Sequence, residues 1–149
     1  MKIELLNDKN RLLKEEQAIM QPSQSKKEES VDILRDEFLQ ERAAVLGRAG
    51  MAVEDVIAEL AKLDQEIQIK KEHLQSLKLD EVSPLAAGEQ QLLVEEINID
   101  IEQFNVVIEK ARLKYYYLIV TREAMGLRRH RMVQEMYVIP EKKKKIQVY

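Results

Sequence analysis

Cysteine and tryptophan are absent from this 149-residue chain, and it has only four glycines and three prolines. Without cysteine there can be no disulfide, thiolate metal site or cysteine nucleophile, and the chain suits a reducing compartment such as the cytoplasm. Four scattered glycines cannot build a phosphate-cradling loop, and neither GxSxG nor HExxH occurs. The two histidines, His73 and His130, lack a glutamate three residues upstream, so the Glu-x-x-His pattern of di-iron bundles is missing. No apolar run approaches the ~20 residues that span a bilayer. Acids at Glu4 and Asp8 interrupt what would be the core of a secretory signal. These absences point away from an enzyme, a cofactor, a metal centre and stable membrane insertion, and toward a soluble cytoplasmic protein.

What remains is charge and helix formers. Charged residues make up 34% of the chain and hydrophobic ones 45%, enough for an ordinary core. Residues 1–109 carry 13 Lys+Arg against 24 Asp+Glu, a balance of −11, while residues 110–149 carry 11 against 3, a balance of +8. The net −3 therefore conceals a strongly dipolar molecule.

Apolar periodicity predicts an all-α protein, a long antiparallel helical hairpin or coiled coil with a short N-terminal helix. Leu5, Leu12 and Ile19 recur every seven residues and predict the amphipathic helix at 1–20. Pro22 and the neighbouring serines predict a linker at 21–27, with Ser25 or Ser30 capping the next helix. Val31, Leu34, Phe38 and Val45 then follow 3,4 spacing with Glu41 in one slot, as do Val53, Val56, Leu60, Leu63, Ile67, Leu74 and Leu77 with Lys70 in another. The phases differ by one residue at Gly47 and Gly50, where the helix either breaks or absorbs the extra residue. Pro84 and Gly88 predict a turn at 79–88.

A third helix is expected from Glu89 to Tyr137, its core line running through Ile97, Ile101, Phe104, Ile108, Ala111, Tyr115, Leu118, Arg122, Met125, Arg129, Met132 and Met136. The hairpin thus occupies 28–137, and a basic tail lies beyond it at 138–149. YVI before Pro140 and IQVY after the lysines also read as short strands. A turn near Pro84 sets residue i opposite about residue 168 minus i. That register puts Tyr115, Tyr116 and Tyr117 near the small residues 47–50 and sets Arg128, Arg129 and Arg131 near Glu37 and Glu41.

Two helices leave Val94, Ile99, Val106, Val107, Ile119 and Val120 off the main line, so further cover is needed, from the N-terminal helix or from a second chain. The functional expectation is a scaffold or adaptor that binds protein and self-associates, or belongs to a larger assembly. Its anchors would be Tyr115, Tyr116, Tyr117, Leu118, Met125 and Met132, with Arg122, Arg128, Arg129 and Arg131 as specificity contacts. A small acidic secretion or assembly chaperone is the second reading. The third is a nucleic-acid-binding coiled coil that uses residues 126–132 and the lysines at 142–145 to neutralise phosphates.

Overall fold

The computed structural model describes residues 2–79 and 84–147, and among them the side chains of residues 7–14, 24–79 and 85–147. Three helices succeed one another in chain order: α1 (Lys2–Leu79), α2 (Pro84–Ala124) and α3 (Arg131–Met136). No strand occurs among the described residues, so the strand reading of the C-terminal stretch is replaced by irregular chain up to Gln147, while Val148 and Tyr149 of that reading lie outside the described residues. None of the described helices is long and apolar enough to cross a membrane. The chain divides into two units, residues 1–44 and 45–149.

Helix α1 runs through 21–27, where the sequence predicts a linker, so the separate short N-terminal helix is not observed. Strong helix formers at Lys26, Lys27, Glu28 and Glu29 carry it forward. Ser30 does not cap a new helix; its hydroxyl donates to the Lys26 carbonyl at 2.8 Å, a back-bond made inside a helix. The helix also continues through Gly47 and Gly50, each costing only ~1 kcal/mol relative to alanine.

Within residues 1–44, none of the described side chains is buried. Leu12, Leu13, Val31, Leu34, Phe38 and Leu39 all face solvent, and the Arg42 guanidinium lies 5.4 Å from the centre of the Phe38 ring.

The second unit holds the core. Residues 45–79 of α1 pack antiparallel to α2 through Val56, Leu60, Leu63, Ile67 and Leu74 on one side and Val94, Ile97, Ile101, Phe104, Ile108 and Ala111 on the other. The polar contacts report the same register. Lys70 meets Asp100 at 2.6 Å and Glu96 at 4.0 Å, Lys110 meets Glu59 at 3.6 Å, and the Gln90 amide donates to the Leu77 carbonyl at 3.1 Å. Each pair obeys the 168-minus-i rule to within two residues. Lys70, the cation in an apolar slot, is thereby accommodated, and its hydrogen bond to Asp100 is the chief cause holding its pKa above the ordinary lysine value.

The predicted turn at 79–88 narrows to the interval between Leu79 and Pro84, of which 80–83 lie outside the described residues, and Gly88 is inside α2. Proline suits a helix's first turn, where its missing N–H has no partner to lose.

The largest correction concerns the other end. Helix α2 stops at Ala124, not at Tyr137. Gly126 adopts φ +85°, its N–H bonds the Glu123 carbonyl at 3.0 Å, and the Leu127 N–H bonds the Arg122 carbonyl at 2.9 Å. This pair of bonds is the Schellman closure, which glycine alone enters without a Cβ penalty. Met125, Arg129, Met132 and Met136 therefore leave the predicted core line. The chain returns through the six-residue α3, whose Val133 is buried with Val53 and Leu118. The aromatic residue that uses the space at Gly50 is consequently Tyr137, since a Cβ on Gly50 would sit 3.5 Å from the Tyr137 hydroxyl. That hydroxyl donates to Glu54 at 2.9 Å. Burial first, and this carboxylate second, raise its pKa.

Candidate functional site

Beyond α3 the chain lies along α2, and the contacts that hold it form one stripe. Asn98, Glu102, Asn105 and Glu109 recur at intervals of four and three and so share a helix face. Asn105 accepts the Lys143 N–H at 2.8 Å and donates to the Lys143 carbonyl at 2.9 Å. Asn98 does the same for Ile146, at 2.8 and 3.0 Å. A carboxamide has one acceptor and one donor end, so each asparagine serves one tail residue as a sheet neighbour would.

The spacing fits. Seven helix residues at ~1.5 Å rise ~10.5 Å, and three residues at ~3.3 Å per residue span ~10 Å. Lys143–Ile146 is therefore extended and antiparallel to α2.

Charge runs along the same line. Lys142 pairs with Glu109 at 2.6 Å, Lys145 with Glu102 at 2.8 Å, and Lys143 with Asp64 of α1. The Lys143 ammonium also stands 4.9 Å from the centre of the Phe104 ring, so this one residue bridges the two helices. Ile139 and Ile146 pack against the core. Part of the cover that two helices lack thus comes from residues 139–146. An open groove of about 320 Å³, lined by Leu60, Asp64, Phe104 and Pro140 among others, remains between tail and hairpin.

Glu102 and Glu109 are both held below the ordinary carboxylate range, chiefly by the hydrogen bonds from Lys145 and Lys142. A depressed carboxylate contributes above its unfolded pKa, and the contribution disappears as pH falls through the folded value. The tail should therefore stay docked at neutral pH and loosen below about pH 4. In NMR spectra the amide shifts of Lys143 and Ile146 should move toward random-coil positions in that range. Unchanged shifts down to pH 3 would show that these ion pairs contribute nothing to docking.

The residues predicted as a partner site fall differently. Leu118 is buried inside the second unit, and Tyr115 is half-buried beside it. Tyr116 and Tyr117 are exposed, with ring centres 6.2 Å apart. Arg122 closes the loop after α2: its Nη2 donates to the Arg129 carbonyl at 3.0 Å and its Nε lies 3.4 Å from His130 Nδ1. His130 Nε2 faces Glu123 at 3.1 Å, so the neutral tautomer with its proton on Nε2 satisfies both neighbours. Arg131 pairs with Glu135 on α3, while Arg128 and Arg129 are exposed. Leu118, Arg122 and Met132 do come together, with Leu46, Gly50 and Met136, around an apolar groove of about 260 Å³; Met125 is half-buried.

Sequence reasoning missed Asn98, Asn105, Glu102, Glu109 and Asp64. A signal was present, because asparagine is a poor helix former, and two of them seven residues apart inside a long helix require a reason. Comparison with protein-family models, with curated proteins and with solved structures finds no match.

Proposed function

We propose that this protein is a non-enzymatic helical scaffold that assembles with other protein chains, a second copy of itself first, and that it works in the cytoplasm. The observation that carries this reading is the apolar line Val31, Leu34 and Phe38, exposed on a helix in which no described side chain up to residue 44 is buried. Large apolar side chains at 3,4 spacing are the mark of a coiled-coil seam. If Val31 and Leu34 take the seam positions, Glu37 and Arg42 fall at the flanking ones, five residues apart. That offset lets Glu37 of one copy meet Arg42 of another in a parallel pair, so the coiled coil proposed here is parallel and intermolecular.

Three of the four tail lysines are engaged by carboxylates of the fold, which removes most of the support for phosphate neutralisation by that run. The test is absolute mass by light scattering after size exclusion, at low and high salt. The expected result is a discrete oligomer that survives salt and falls to monomer in the Leu34→Asp/Phe38→Asp variant. A monomeric wild-type chain at tens of micromolar would overturn self-association.

A further inference from the structure

The stripe on α2 recognises the main chain of its ligand, and that form of recognition does not require the ligand to belong to the same molecule. We propose that Asn98, Glu102, Asn105 and Glu109, with Asp64, form a docking site for an extended lysine-bearing segment, and that copies of this chain exchange their tails through it.

The two asparagines fix position and direction by pairing with the backbone of Lys143 and Ile146. The carboxylates then select lysine at 142, 143 and 145. A second copy supplies the same segment and so the same contacts, and exchange of an identical element is a low-cost route to association.

The site also has a defined end. One heptad beyond Asn105 the ladder would reach position 112, opposite Pro140, which has no N–H to offer. The asparagine ladder therefore begins after Pro140, and Ile139 before it adds only apolar contact with the core. Only residues 137–140, which are outside any helix, join it to α3. Within this stretch Tyr137 stays with α3, its N–H bonded to the Val133 carbonyl and its hydroxyl to Glu54, so a departing tail parts from the unit after Tyr137 and takes Ile139 off the core.

This inference is independent of the seam at Val31, Leu34 and Phe38, so the test is made with full-length chains in the Leu34→Asp/Phe38→Asp background. One chain additionally carries Lys143→Pro/Ile146→Pro, which leaves its site intact and removes from its tail the two N–H groups that Asn105 and Asn98 accept. The other carries Asn98→Ala/Asn105→Ala, with an intact tail and no site. Each alone should be monomeric, and the second should be cut rapidly by trypsin within residues 142–145. Mixed, they should form a one-to-one complex by native mass spectrometry, with tryptic cleavage of the second chain's tail slowed at least tenfold. Absence of both the complex and the protection would overturn exchange.

If circular dichroism shows either variant unfolded, a fluorescent peptide of residues 138–147 is titrated into the wild-type chain. Saturable binding that ends with tail displacement, seen as accelerated tryptic cleavage of the chain's own lysines, supports the site. Failure to displace the tail at millimolar peptide refutes it.

Discussion

Phe104→Ala should destabilise the second unit by about 3–5 kcal/mol, the range for truncating a buried aromatic residue, and should also free the tail. Phe104 is 2% exposed, among the largest of the fully buried side chains, and belongs to the cluster that joins residues 45–79 of α1 to α2. Its loss removes apolar contact from both helices and leaves a void that rigid helical backbones cannot close. The ring is also the surface over which the Lys143 ammonium stands. A single substitution thus acts on the core and on the layer above it. Phe38→Ala provides the contrast. Phe38 is 58% exposed, so the same chemical change should stay within about 0.5 kcal/mol in a monomer. In urea melts monitored by circular dichroism, the Phe104 variant should lose most of its unfolding midpoint and the Phe38 variant almost none, apart from any loss that depends on protein concentration. A cost below about 1 kcal/mol at Phe104 would mean that the hairpin core carries little of the stability.

Features set by local repetition were legible in the sequence. The core line from Ile97 to Leu118 and its partners from Val53 to Leu77 arise from the spacing of apolar residues alone, and the 168-minus-i register arises from the turn near Pro84. Lys70–Asp100 and Lys110–Glu59 obey that register. The errors came where one residue type admits two backbone states. Gly47, Gly50 and Gly126 look alike in the sequence, yet α1 passes through the first two while the third ends α2 at positive φ. The neighbouring residues distinguish them. Leu127 and then Arg128, Arg129 and Arg131 come after Gly126, and no apolar stripe resumes there to hold a helix together. Gly50, by contrast, leads into the apolar spacing that starts at Val53, which rewards continued helix with burial.

The docked tail was the least legible element. Its recognition depends on a three-residue extended period matching a seven-residue helical one across 38 and 48 positions of sequence, and no single-segment periodicity contains that relation. The lysine run, read by composition, suggested a partner outside the fold, whereas three of its four charges are met by Asp64, Glu102 and Glu109.

Asn98→Ala/Asn105→Ala should release the tail without unfolding the hairpin. The double variant removes four hydrogen bonds, all part-buried. At ~0.5–1.5 kcal/mol each they contribute roughly 2–6 kcal/mol to docking. The true loss falls toward the lower end, because a released tail presents its amides to water and strands none of them. Since every 1.4 kcal/mol is about tenfold in an equilibrium, tryptic cleavage within residues 142–145 should accelerate by about thirtyfold or more. The helical signal should be retained, because Asn98 and Asn105 are outside the buried core.

Asn105→Asp separates hydrogen bonding from charge. Aspartate still accepts the Lys143 N–H, but an oxygen replaces the donor facing the Lys143 carbonyl, losing one bond and adding repulsion. It also places another anion among the lysines, a gain of at most ~1 kcal/mol for exposed ion pairs. If bond geometry dominates, as the paired 2.8–3.0 Å contacts indicate, this variant loosens the tail. Slower cleavage than wild type would instead mean that charge holds the tail, and that the two asparagines are secondary to it.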